Sequence, residues 1–205
     1  YLETRCALVD QALDRLLPAE HAVPATLHKA MRYSIFAGGK RLRPVLVLAA
    51  AEACNGAHEN ALPAACAVEC LHTYSLIHDD LPCMDNDVLR RGKPTVHVAF
   101  DEATAMLAGD ALQAEAFTVI ANGALPAPQT ASLMRELAHA AGTQGMCGGQ
   151  AIDLSVVGRQ ISPAELERMH RMKTGALLKA AVLMGALSGQ SALLTECTRE
   201  ALTRY

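Results

Sequence analysis

Apolar residues return every third or fourth position along most of this chain, which is the spacing that puts them on one face of an α-helix. Leu2, Cys6, Val9, Leu13, Leu16 and Leu17 predict an amphipathic helix over residues 1 to 17. Pro24 opens a second helix through Leu27, Met31, Ile35 and Phe36, and Gly38-Gly39 stops it where a left-handed cap is expected. Arg43-Pro44 starts a third helix, since proline suits a first turn. A small-apolar run from Ala61 to Ile77 predicts a buried helix from about Pro63 to Leu81, ended by Pro82, which lacks an N–H and crowds the preceding turn. Residues 101 to 122 read as a closely packed helix. Pro126 and Pro128 mark a loop, and helical periodicity resumes over Ala131 to Ala141. Ser162-Pro163-Ala164-Glu165 is a capping box with proline in the first turn, so a long helix begins there and carries Met169, Lys173, Leu177 and Ala180 on one stripe.

Composition sharpens this picture to an all-α fold. Of 205 residues, 51% are hydrophobic but only 3% aromatic, and alternating β-branched runs are scarce. One domain spanning residues 1 to 205 is the expectation, the proline loop being the one place for a linker. A formal charge of −3 argues against nucleic acid as a partner. The odd number of cysteines, without a CxxC pair, suggests reduced thiols in a cytoplasmic setting rather than a disulfide framework or a zinc site. No apolar segment runs uninterrupted for the roughly 20 residues that stable membrane insertion needs.

The chemistry concentrates between His72 and His97. Asp79, Asp80, Asp85 and Asp87 fall within nine residues, and Arg90, Arg91 and Lys93 follow. Carboxylates so close repel one another, which implies a cation among them. Oxygen-only ligands favour a hard divalent ion such as Mg²⁺, which shares its shell with substrate phosphates, while the guanidinium and ammonium groups grip phosphate oxygens. On an unbroken helix Asp79 and Asp85 would stand about 120° apart, so they share a metal only if the chain bends near Pro82. The cationic loop Lys40-Arg41-Leu42-Arg43, beside two glycines and a helix N-terminus, suits an anion, or is a solvated basic turn. His72 lies two turns below Asp79 and reads as a hydrogen-bonded core residue or a ligand; His78 reads as structural. Gln150 and Asp153 share a helix face, as a site or as a plain polar surface. Lys173 on an otherwise apolar stripe needs an anion.

Asp79-Asp80-x4-Asp85 followed by Arg90-Arg91-Gly92 resembles the first aspartate-rich motif of the trans-prenyltransferases, the short-chain isoprenyl diphosphate synthases that include farnesyl diphosphate synthase. Gly38-Gly39-Lys40-Arg41-Leu42-Arg43-Pro44, Gly148-Gly149-Gln150-Ala151-Ile152-Asp153 and Lys173-Thr174-Gly175 match further motifs in the family's order, and Leu81-Pro82 resembles the insertion of its bacterial-type farnesyl and some geranylgeranyl members. The resemblance implies a single-domain antiparallel helix bundle around a central cavity and a homodimer. It implies several Mg²⁺ ions, bound with diphosphate, on Asp79, Asp80 and Asp85. Arg90, Lys173 and Thr174 would face the allylic diphosphate and the incipient cation, Gln150 would bind substrate, and Lys40, Arg43, His72 and Arg91 would hold isopentenyl diphosphate.

Tyr74 and Ser75, the fifth and fourth residues before Asp79, would set product length, a bulky Tyr74 implying the C15 product farnesyl diphosphate. Helix geometry favours Ser75, since Tyr74 lies roughly 140° from Asp79 in projection. Geranylgeranyl diphosphate synthase and a non-catalytic prenyltransferase-like subunit are the alternatives. The family's second aspartate-rich motif has no counterpart, because no Asp follows Asp153. The expectation is that the C-terminal helices are missing from these 205 residues, which alone would be inactive.

Overall fold

The computed structural model describes residues 1–189 and 196–203, and eleven helices and one short hairpin account for their regular structure. The helices are α1 (Leu2–Leu16), α2 (Ala25–Ile35), α3 (Leu42–Ala53), α4 (His58–Asp79), α5 (Val96–Ala99), α6 (Glu102–Ala121), α7 (Ala127–Ala141), α8 (Met146–Ser155), α9 (Pro163–His170), α10 (Ala176–Ser188) and α11 (Glu196–Leu202). A π-helical turn, Arg171–Gly175, joins α9 to α10, and strands β1 (Leu89–Arg90) and β2 (Lys93–Pro94) pair antiparallel. The all-α expectation holds. Among the described residues no helix is long and apolar enough to cross a membrane.

The residues group into two compact units. The first comprises Tyr1–Val45 and Cys66–Asn122, the second Leu46–Ala65 and Gly123–Tyr205. In the first, α2 packs on α5 and α6, and Val9, Leu13, Ile35, Leu71, Ile77, Leu112 and Ile120 are essentially fully buried. Each such side chain contributes roughly 2 kcal/mol of burial. In the second, α7 packs along α10 and α8 along the π-helical turn, around Leu48, Leu133, Leu137, Leu177 and Met184.

Several boundaries differ from the sequence reading. Helix α4 starts at His58 and takes Pro63 into its interior, and α7 starts at Ala127, so the proline loop is a helix entrance with Pro128 in its first turn. Asp101 caps α6 by accepting from the Thr104 N–H at 2.7 Å. The capping box at Ser162 and Glu165 forms as expected. The helix it starts runs only to His170, where the backbone widens into the π-helical turn. Cys6, Cys54, Cys66, Cys70 and Cys83 are free thiols, and burial pushes Cys66 up to about 12, so it stays protonated.

Candidate active site

The first unit holds Lys40, Arg43, His72, Tyr74, Ser75, Asp79, Asp80, Asp85, Arg90 and Arg91, and the second holds Gln150, Lys173 and Thr174. In the first, α4 ends at Asp79 and the chain turns back at once. Met84 and Asn86 donate their N–H groups to the Leu81 carbonyl, and Asp85 N–H donates to the Asp79 carbonyl at 2.8 Å. That is the bend near Pro82 that a shared metal requires: it brings Asp85 against the residue six positions before it. Asp80 goes elsewhere. It is 3% exposed and accepts from Arg90 Nε and Nη2 at 2.6–2.9 Å. Hydrogen bonding to Asp80 holds the Arg90 guanidinium above its ordinary value. Asp87, 4.0 Å from Arg90 Nη2, is mostly exposed. Among the described residues no three His, Cys, Asp or Glu side chains gather closely enough to hold a metal unaided. Asp79 and Asp85 nevertheless offer the hard oxygen donors that magnesium takes, and leave the rest of its shell to phosphate oxygens and water.

Arg90 and Arg91 diverge from one hairpin. Arg91 and Gly92 both have positive φ (53° and 76°), the two-residue turn whose twist suits paired strands. Tyr33 braces the hairpin by donating to the Pro94 carbonyl at 2.8 Å. The Arg91 side chain lies against Gly39, where an added Cβ would come within 2.7 Å of its Nη1. Arg91 thereby joins Lys40, Arg43 and His72 around a cleft of about 560 Å³. Arg43 Nη1 donates to His72 Nε2 at 3.3 Å, while Arg43 Nε is buried without a hydrogen-bond partner. A guanidinium only donates, so Nε2 carries no proton. Burial and then the charges of Arg43 and Arg91 push His72 down to about 3. Burial also pushes Arg43 and Arg91 below their ordinary values. A cleft of partly desolvated guanidinium groups around a neutral imidazole, with one buried donor unfilled, is complementary to a polyanion.

Arg41 also lines this cleft, but its guanidinium is engaged by protein partners rather than left for an anion as the sequence suggested. It is 5% exposed and donates to Glu69 Oε1 at 2.7 Å, Asp10 Oδ1 at 2.8 Å and the Ile35 carbonyl at 2.7 Å. Burial opposes its charge, but Glu69 and Asp10 prevail and hold it above its ordinary value. Glu69 escaped the sequence reading, although a lone carboxylate inside an apolar helical run is a signal for a buried partner. On the same helix Tyr74 is 6% exposed and meets the His78 ring edge to face, with centroids 5.6 Å apart. His78 Nε2 donates to the Met106 carbonyl at 3.0 Å, over Gly109, and Ser75 Oγ donates to the His72 carbonyl at 2.9 Å.

In the second unit Lys173 finds the anion it needs in Asp153, at 2.6 Å across from α8. Gln150, one turn before Asp153, has its Oε1 buried without a partner. Thr174 does not turn with Lys173; it is exposed and lines a groove of about 700 Å³ with Leu166, His170 and Leu178. The π-helical turn that carries both was not foreseen; such turns concentrate at functional sites.

Comparison with known proteins bears on the fold and on the chain's relatives. The polyprenyl synthetase family model matches residues 24–204. Farnesyl diphosphate synthase of Escherichia coli (strain K12) is 50% identical over 191 residues, covering 91% of this chain and 64% of its own. The large subunit 1 of the chloroplastic heterodimeric geranylgeranyl pyrophosphate synthase of Arabidopsis thaliana is 48% identical over 196 residues, 92% of this chain and 52% of its own. A crystal structure of an FPP/GFPP synthase from Zymomonas mobilis superposes with a TM-score of 0.92 at 43% identity, covering 98% of this chain and 73% of that one. The chain spans about half to two thirds of the length of the curated relatives it matches.

Proposed function

Because this chain belongs to the polyprenyl synthetase family, we propose that the protein joins isopentenyl diphosphate head to tail to an allylic diphosphate, dimethylallyl or geranyl, and releases diphosphate. The observation that carries this reading is the division of labour at one hairpin: Arg90 is bound to the acidic loop through Asp80, and Arg91 is set in the cationic cleft beside Gly39.

Lys40, Arg43 and Arg91 hold the diphosphate of isopentenyl diphosphate, and neutral His72 orients Arg43. Asp79 and Asp85 would hold magnesium, which when bound neutralises charge growing on the departing allylic diphosphate. Asp80 keeps Arg90 at the acidic loop, where its charge favours the same anion. Lys173, Thr174 and Gln150 are assigned to the allylic substrate on family resemblance. As the allylic C–O bond breaks, the double bond of isopentenyl diphosphate forms the new C–C bond, and the proton then lost goes to the released diphosphate. Surrounding aliphatic side chains exclude water that would quench the cation. A homodimer in the cytoplasm belongs to the same proposal.

Product length is assigned to Tyr74 on family resemblance, its bulky, buried ring on α4 favouring farnesyl diphosphate. Relatives named for geranylgeranyl products at 48–50% identity favour the C20 alternative. The test is mass analysis of products made by the full-length protein from labelled isopentenyl diphosphate, geranyl diphosphate and magnesium. A C15 product is expected, with Tyr74→Ala extending it by at least one C5 unit. A wild-type protein that leaves the label in unreacted isopentenyl diphosphate would contradict the assignment.

A further inference from the structure

The cleft assigned to isopentenyl diphosphate contains a negative charge. Glu69, 3% exposed on α4, lines the same 560 Å³ as Lys40, Arg43, His72 and Arg91. A carboxylate beside a diphosphate would by itself oppose binding. Its geometry explains its presence: Oε1 accepts from Arg41 Nη1, and the other edges of that guanidinium reach Asp10 on α1 and the carbonyl of Ile35 at the end of α2. The same arginine has φ 47°, a left-handed conformation that a side-chain-bearing residue adopts only when its surroundings hold it there. On one side of this pinned residue is Lys40, and two residues further, in the first turn of α3, is Arg43. The path of the cationic loop is therefore fixed from below by one buried ion pair.

We propose that Glu69 is a positioning residue for the second substrate: through Arg41 it locks the backbone between Gly39 and Arg43, so that Lys40 and Arg43 present their charges to one diphosphate. This rests on the reading that the cleft receives isopentenyl diphosphate. The charge of Glu69 also favours the charged forms of Arg43 and Arg91 against the burial that opposes them. Arg41 in turn neutralises the carboxylate, which leaves the cleft net cationic.

Steady-state kinetics of three variants of the full-length protein test this. Glu69→Leu/Arg41→Met replaces the ion pair with apolar groups of similar bulk, an exchange that proteins often tolerate without loss of stability. It is expected to raise KM for isopentenyl diphosphate roughly tenfold through misplacement of the loop, with KM for the allylic substrate and the unfolding midpoint little changed. Glu69→Gln still accepts the Arg41 hydrogen bond and should recover most of the affinity. Arg43→Ala separates the two levels of the argument. If it leaves KM for isopentenyl diphosphate unchanged, the cleft assignment itself fails. If it raises KM while the double variant binds normally, the role of Glu69 alone is overturned. A double variant that does not fold, or a Glu69→Gln variant as impaired as the double one, also overturns it.

Discussion

His72 and His78 sit six residues apart on α4 and carry opposite tautomers. Nε2 of His72 accepts from Arg43, whereas Nε2 of His78 donates to the Met106 carbonyl. Burial, together with the charges of Arg43 and Arg91, gives His72 a pH signature. Its folded value, about 3, lies below the unfolded value of 6.5, so between these limits the unfolded chain binds the extra proton. Stability is therefore lost as pH falls from 6.5 towards 3, by at most about 1.4 kcal/mol per pH unit from this group. Chemical denaturation across that window should show a shallower acid loss for His72→Asn than for the wild type; parallel curves would contradict a neutral, buried His72. At this scale much was legible. The demand of Lys173 for an anion follows from one cation on an apolar stripe, and Asp153 meets it. The opposed roles of Arg41 and Arg43 were not legible, because both read as loop cations and only the left-handed backbone at Arg41 turns one inward. Asp80 shows the same limit: next to Asp79 in sequence, it turns onto Arg90.

Among the elements, helices were legible because their period is written in the apolar positions, and the capping box fixed the start of α9 to the residue. The hairpin was not, since strands of two residues leave no alternation to read. Neither was the π-helical turn, which widens a helix without any change of composition. Its packing depends on Gly149: a Cβ there would lie 2.2 Å from the Lys173 backbone nitrogen and 2.6 Å from its Cα. Backbone cannot swing aside as a side chain can. Gly149→Ala is accordingly expected to cost about 3 kcal/mol or more, at the upper end of overpacking penalties, read as a lowered unfolding midpoint. A midpoint equal to that of the wild type would show that α8 and the turn need no such close approach.

For the whole molecule, the family was legible from four separate segments and the fold class from the apolar period and composition, and the comparisons agree with both. Product length was less so: Tyr74 and Ser75 are neighbours on α4, and relatives named for both farnesyl and geranylgeranyl products match the chain. On the proposed function, the protein recognises two diphosphates differently, one by fixed cations and one through a metal on carboxylates. Calorimetric titration of the full-length protein tests that division most directly. Isopentenyl diphosphate should bind with magnesium chelated and lose affinity in Arg43→Ala, whereas a non-hydrolysable allylic diphosphate analogue should bind only when magnesium is present and lose affinity in Asp79→Ala. Allylic binding that is indifferent to magnesium, or isopentenyl diphosphate binding that is untouched by Arg43→Ala, would contradict it.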